Sequence, residues 1–376
     1  MILFLAFKGI FQNWAIYQFS TEHECQDPPR TDAYDIIGIL FPLKILQKFR
    51  KRGVLAWTKK LFEKYNGTFV STILLQDYIF TSHHRNIQDI LTVQFENFNV
   101  AVERVHLFKP LSARGVLTLD GQTWTASRQQ LRRQFSQYRS IVNLDMHERH
   151  FQNFVARIPS NGSSIDLQEM FLKLALDTLT EFSLGESVDS LSANQSAEKR
   201  EVSDAIRYTK DTIARKGFAG PFHWMVGRHK FDRSCGIIQQ YIQRFAGQAS
   251  DENEKYVARD ANGSKYCLMQ SLAAEEKDLV VLRDQVSNVL IAGVDAMTSL
   301  LSAALWLLAR DERVSRIMKT EILEICGSSS PTYNQLKSLI YLRYVINEGE
   351  VFLVTYCGLE AHAVNNSLKI VSTHHL

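Results

Sequence analysis

Proline is scarce here, with seven in 376 residues. Few prolines leave long stretches free to run as helix, and much of the chain repeats its apolar residues at helical period, which predicts an α-rich protein. The five cysteines (Cys25, Cys235, Cys267, Cys326, Cys357) are scattered, odd in number and share no CxxC spacing. That excludes a disulfide framework and a zinc site and leaves buried or idle thiols in a reducing compartment. No repeat with a period of roughly 20 to 50 residues is present. Neither a GxGxxG after a strand nor a GxxxxGK[ST] occurs, so no nucleotide-binding fold is indicated. Charge of one sign is also lacking: the net value is +3, and nothing global points to nucleic acid. His147-Glu148-Arg149-His150 has one residue too few between its histidines for a metalloprotease HExxH, and reads as a solvated helix surface.

What is present describes a globular chain. Hydrophobic residues make up 45% and aromatics 11%, enough for a sizeable core in one large domain or two ordinary ones. Met1 to Phe7 is an apolar run ended by Lys8, far short of the ~20 residues of a bilayer span. It reads as a truncated anchor, an interfacial amphipathic segment or a buried helix. Residues 38–65 are basic and mostly helical. Residues 68–75 and 77–81 are β-branched and aromatic and predict a β-hairpin. Helical spacing resumes over 84–93, and 95–120 lacks a period and reads as a long connection. From Thr123 the pattern predicts helices over 123–137, 140–157, 165–184, 200–217, 228–248, 279–310, 311–326 and 333–348. The polar stretch 250–266 predicts a mobile loop.

The helix over 279–310 would span roughly 48 Å. It is apolar on most faces in its second half (Leu300, Leu301, Ala303 to Leu308), and so predicts burial there. Ala292 and Gly293 in its middle would let a flat group approach the backbone. Trp124 and Arg128, four residues apart, project from one helix face. There an indole N–H and a guanidinium can hold a carboxylate; a core Trp with a solvated Arg is the bland alternative. Arg132, Arg133 and Arg139 extend a basic face, equally well explained as plain exposed charge.

Three ordered segments carry a family resemblance. Gly121-Gln122-Thr123-Trp124-Thr125-Ala126-Ser127-Arg128 resembles the WxxxR of helix C in cytochromes P450. Leu290-Ile291-Ala292-Gly293-Val294-Asp295-Ala296-Met297-Thr298 resembles the AGxDTT of helix I, and Leu342 to Glu348 resembles the opening of the ExxR of helix K. The lead-in Gly115 to Asp120 is similar to that of fungal alkane and fatty-acid hydroxylases.

The resemblance implies a mainly α, P450-like helical fold with a small N-terminal β-hairpin, and haem b as cofactor. Trp124 and Arg128 would meet a haem propionate, with Ala292 and Gly293 beside the ring. Asp295 would be the catalytic acid that feeds protons to the oxygen activated at the haem. It further implies monooxygenation of long-chain fatty acids or alkanes, a reductase partner that Arg132, Arg133 and Arg139 could dock, and a hydrophobic small-molecule substrate. The expected location is the cytosolic face of the endoplasmic reticulum membrane, with the Cys25 to Arg30 stretch resembling the proline hinge that follows an anchor. Residues Phe218 to Val226, aromatic and followed by Arg228, His229 and Lys230, fall where the family has its substrate entrance.

Departures from the pattern are equally specific. Ala296 and Met297 stand where the family has threonines, and Val351 stands where ExxR requires arginine. No Phe-x-x-Gly-x-Arg precedes Cys357, so no thiolate loop is recognised. The reading is a possible membrane-associated segment over 1–24, an incomplete P450-like domain over 25–348 and an unrelated tail over 349–376. The abrupt change after Glu348 is what intron read-through or a frame shift would give. The polypeptide as written is expected to be inactive, the alternative to an enzyme being a haem-free, non-catalytic relative.

Overall fold

The computed structural model describes residues 27–31, 35, 37–51, 53–73, 76–100, 102–136, 142–161, 163–251, 266–354, 358–363 and 369–373, with Trp14, Tyr17, Gln18 and 20–22. The expectations for residues 1–13, Cys25, Arg139, 252–265 and Cys357 lie outside these. The chain divides into two compact units, residues 1–101 with 356–375, and residues 102–355.

The first unit packs α1 (Leu40–Arg50) and α2 (Val54–Lys64) on a sheet. The hairpin of β1 (Thr68–Ile73) and β2 (Gln76–Thr81) forms where the β-branched and aromatic runs predict it, with Thr68 opposite Thr81. Phe69 and Phe80, directly paired across it, stack at 5.0 Å. Asn66 and Gly67, both at positive φ, turn the chain out of α2 into β1. Gly38 is required at φ +77°, because a Cβ there would come within 2.6 Å of the Thr72 backbone. After α3 (His84–Gln88) a π-helical turn carries the chain on to β3 (Phe98–Asn99). The hairpin belongs to a larger sheet of order β1-β2-β5-β4-β3, completed by β4 (Gly358–Ala363) and β5 (Lys369–Thr373). The tail, which shows no period in sequence, therefore supplies two strands.

The second unit is helical: α4 (Val102–Phe108), α5 (Gly121–Ser136), α6 (Leu144–Val155), α7 (Leu167–Leu184), α8 (Ala197–Ala219), α9 (Arg228–Asp251), α10 (Leu268–Ala273), α11 (Leu279–Leu308), α12 (Glu312–Cys326), α13 (Tyr333–Ser338) and α14 (Ile340–Val354). Local chemistry sets many starts. Asn143, Asp166, Asp278 and Asp311 each accept backbone N–H groups of the first turn, and Thr332 with Gln335 makes a reciprocal capping box. Gly185, at φ +81°, ends α7 in the left-handed conformation.

Four expectations need correction, three of them local. The 95–120 connection contains α4, too short to establish a period. The helix expected over 333–348 breaks at Leu339 and then runs on to Val354; the Glu321 carboxylate accepts the Tyr341 and Leu342 N–H groups at 2.8 and 3.0 Å, satisfying the new helix start. Third, His150 is not on a solvated surface: it is buried, with Nε2 2.8 Å from Glu181 Oε2, while Arg149 pairs with the same carboxylate. α7 brings Glu181 to α6, something the sequence of α6 does not record.

The core lies where α7, α8, α9 and α10 surround α11. Ile206, Phe231, Ile238, Leu272, Val286 and Val294 are almost fully enclosed there. Burial along α11 reverses the expectation. Its first half buries polar side chains, with Asp284, Gln285, Ser287 and Asn288 at most 1% exposed, whereas Leu305 and Trp306 in its apolar second half keep 41% and 49% exposure. Neighbours decide this: α9, α10 and the chain before α5 close on the first half, while the second meets α7 through Met297 and Leu301 and α14 through Leu300 and Ala304 against Gly349, which leaves Leu305 and Trp306 uncovered.

Candidate active site

The site is built on α11 and on what is pinned to it. The turn before α5 is locked there by buried polar contacts. Asp284 accepts the Arg114 backbone N–H at 2.8 Å, and Arg283 donates to its other oxygen at 2.7 and 2.9 Å. Ser112 Oγ donates to Asn288 Oδ1 at 2.8 Å. Gly115 makes the approach possible: a Cβ there would stand 1.5 Å from Asn288 Nδ2 and 2.9 Å from the Asp284 carbonyl oxygen. Thr118 Oγ1 reaches the Gly115 carbonyl at 2.9 Å and closes the turn. α5 then lies on α11, where Gln285 Nε2 donates to Ser127 Oγ.

α5 buries Ser127 against Gln285 of α11 and Gln134 against Tyr266 and Ser271 at α10, and its other side turns outward, with Trp124 half-buried and Arg128 exposed. The Arg128 guanidinium sits 5.3 Å from the centre of the Trp124 ring, so the two act as one surface. Of the basic residues beyond, Arg133 is taken up by Glu275 and Arg132 is exposed.

Gln285 and Ala292 are seven residues apart, almost two full turns, and so share a side of α11. Beyond the α5 contact that side is open: Ala292, Asp295 and Ala296 are exposed. The result is a strip of methyl groups with one carboxylate at its edge. Gly293 is elsewhere on the helix, against α7, where a Cβ would meet Leu179 at 2.9 Å. Its smallness serves the α7–α11 approach. Thr298 is buried and donates to the Val294 carbonyl at 2.7 Å, so its hydroxyl is engaged within its own helix.

Asp295 has a partner that sequence reasoning missed. Lys210 of α8 places Nζ 2.9 Å from Asp295 Oδ1 and 3.1 Å from Asp211 Oδ1. Burial raises the Asp295 carboxyl above the usual aspartate range; Lys210 pulls it down, and Asp211 opposes its ionisation. Burial also works against the Lys210 charge, but the two carboxylates outweigh it and hold the ammonium above its ordinary value. Water reaches 51% of the Asp295 side chain, which softens its rise, whereas Lys210 is only 18% exposed. No local signal in the sequence joins positions 210 and 295.

A flat prosthetic group finds matching chemistry on two sides: a methyl-lined strip at Ala292 and Ala296, and an outward arginine stacked on an indole for an acidic substituent. A thiolate to hold the iron of such a group is a separate matter. Cys235 and Cys267 are enclosed in the core, and burial pushes the Cys235 thiol up to about 12 and the Cys267 thiol in the same direction. Neither suits a thiolate ligand. The third described cysteine, Cys326, is half-buried on α12. On α14, Val351 follows Glu348 by three residues, where the ExxR pair would need arginine.

A mainly helical fold, a long central helix with an Ala-Gly-x-Asp centre and a Trp-x-x-x-Arg helix docked on it define a haem-binding monooxygenase class. The profile of that class matches residues 35–349, and the chain belongs to the cytochrome P450 family. It is 30% identical over 356 residues to cytochrome P450 52A13 of Debaryomyces hansenii, covering 89% of this chain and 67% of that protein. Cytochrome P450 52A3-A of Candida maltosa is 30% identical, with 92% and 69% covered. Cytochrome P450 monooxygenase fsdH of Fusarium heterosporum is 29% identical, with 88% and 60% covered. The chain thus spans about two-thirds of the length of these relatives.

Proposed function

We propose that this chain forms the oxygen- and substrate-handling face of a haem-thiolate monooxygenase that hydroxylates long-chain fatty acids or alkanes. The observation that carries the reading is the open strip of Ala292 and Ala296 with Asp295 at its edge, tethered by Lys210. Bound haem b would supply the oxygen chemistry. Trp124 and Arg128 would hold a propionate by hydrogen bond and charge. Ala292 and Ala296 would let the ring lie close to α11, and Gly293 would set that helix against α7. Asp295 would carry protons inward, with its acidity set by Lys210. Ala296 places a methyl group where a relaying hydroxyl would serve, so this proton path is weak.

Membrane attachment on the cytosolic face of the endoplasmic reticulum and electron supply by a reductase belong to the same proposal. Trp224 and Met225, 64% and 66% exposed on the 3₁₀ turn between α8 and α9, support an interfacial entrance. The domain reading, with residues 25–348 as the P450-like portion, is part of it too.

A second reading is favoured by Val351 and by the chemistry of the described cysteines: this polypeptide is a non-catalytic relative. The two are separated by titrating the purified chain with haemin and recording the ferrous-carbonyl spectrum. Haem uptake without the red-shifted Soret band of a thiolate complex is the expected result; it keeps the haem-facing surface of the first reading and leaves this polypeptide non-catalytic. A stoichiometric red-shifted band would establish a cysteine ligand and remove the second reading. Failure to take up haem at all would remove the first.

A further inference from the structure

The structure has a concave site that shares no residue with that strip. A cavity of about 340 Å³ opens between the end of α6, the first half of α7, the turn 188–195 and the first half of α8, within the range of small-ligand pockets. Its floor is apolar, formed by Met170, Leu172, Leu176 and Leu191, with the three leucines buried. Its rim is charged and unbalanced: Arg157, Lys173, Arg200 and Arg207 face two carboxylates, Glu169 and Asp204.

The carboxylates are already committed. Glu169 lies 3.0 Å from Arg207 Nη1 and 4.0 Å from Lys173 Nζ, and Asp204 lies 3.9 Å from Arg207. Among the described residues Arg157 engages Nε alone, donating to the Leu191 carbonyl at 2.7 Å. Arg200 makes no side-chain hydrogen bond or ion pair among the described residues. Two guanidiniums with donors to spare therefore stand over an apolar floor.

The wall is cross-braced by its own polar contacts. Asp177, 1% exposed, accepts the Ser190 and Leu191 N–H groups at 2.6 and 3.0 Å. Thr180 Oγ1 accepts the Val188 N–H at 3.1 Å, and Gln195 Nε2 donates to the Val188 carbonyl at 2.8 Å. Lys199 bridges Asp189 and Glu186 at 2.6 and 3.0 Å. A preformed cavity demands little ordering on binding. Cationic forks over leucines fit a molecule with one acidic group and a compact apolar body.

We propose that this cavity binds an organic anion, a carboxylate or sulfonate on a compact hydrophobic body, with the acid at Arg157 and Arg200 and the body on Leu172, Leu176 and Leu191. Nothing in it draws on the haem-facing strip, and it stands whether or not the chain takes up haem.

The test titrates the full chain with 2-naphthoate, with its neutral counterpart 2-naphthylmethanol and with inorganic phosphate, read by calorimetry. One naphthoate per chain is expected, with the alcohol and phosphate both much weaker. Arg200→Glu should weaken naphthoate by about ten-fold. Ala193→Phe, at an exposed rim position, should weaken it by filling the mouth. Both variants alter exposed side chains outside the core, and an unchanged far-UV spectrum and melting curve confirm that they fold. Naphthoate binding undiminished in both variants would overturn the proposal. Equal affinity for the alcohol, or displacement of naphthoate by equimolar phosphate, would overturn the requirement for an acid on an apolar body.

Discussion

Lys210 and Asp295, 85 residues apart, are joined at 2.9 Å, tying the middle of α8 to the middle of α11. The contact makes the acidity of Asp295 depend on a charge carried by a different helix.

Lys210→Met should move the Asp295 carboxyl titration further upward, because the attraction lowering it is gone while burial and Asp211 remain. Carbon-13 NMR of the carboxylates measures this, and an unmoved midpoint would refute the coupling. The stability cost at neutral pH should be small, about 0–1 kcal/mol, since Asp295 is half open to solvent. With the folded pKa of Lys210 raised, its contribution is complete below the ordinary lysine value of 10.5 and is lost only as pH rises through the folded value.

Glu181→Gln should destabilise the chain at pH 7 by roughly 1.5–3 kcal/mol, because it strips charge from a carboxylate serving Arg149 and buried His150. Those two partners hold the Glu181 carboxyl below its ordinary 4.5, against the effect of burial. Its contribution is therefore present above pH 4.5 and is lost as pH falls through the folded value. Denaturant melts should show the wild type and variant converging in acid; a constant gap would contradict the assignment.

Gly115→Ala should cost about 1–3 kcal/mol, by overpacking a site without room for a methyl group. Asn288→Ala in the same chain should recover part of it, since the amide is one of two obstacles and the Asp284 carbonyl is the other. Full additivity of the two substitutions would mean that the turn before α5 does not rest on α11 there.

Arg128→Ala and Trp124→Ala should each weaken haemin binding, by roughly 1.5–3 kcal/mol for the loss of one donor to a charged acceptor. Absorbance titration reads it directly. Equal haemin affinity in wild type and both variants would remove the propionate role.

In a chain supplied with a cysteine-ligand loop, Ala296→Thr should raise product formed per reducing equivalent and lower peroxide release. The added hydroxyl would stand one position from Asp295, on the open strip. Its cost in helix propensity is a few tenths of a kcal/mol, roughly. Asp295→Ala should cancel the gain. An unchanged ratio of peroxide to product would return Asp295 to a structural role with Lys210.

The order of helices was legible because each depends on neighbours in sequence. Caps at Asn143, Asp166, Asp278 and Asp311, the turn at Asn66-Gly67 and the β-branched and aromatic runs over 68–81 act within a few residues. The family was legible from three short segments in order. Helices of no more than two turns were not: α4 and α10, of seven and six residues, are stabilised by what covers them.

By itself, then, the sequence determined helix positions, the hairpin, the family and the identities that depart from its motifs at Ala296 and Val351. Only the tertiary structure decided which side of α11 is enclosed. The polar Asp284 is buried because the Arg114 N–H and Arg283 satisfy it, Asn288 is buried with Ser112 serving its Oδ1 and its Nδ2 without a partner among the described residues, and the apolar Leu305 and Trp306 stay exposed because no described helix covers them. It also decided that Gly293 serves α7, that Lys210 reaches Asp295 and that His150 lies inside against Glu181. Each is a contact between residues distant in sequence, and periodicity within one helix carries no information about the helix opposite.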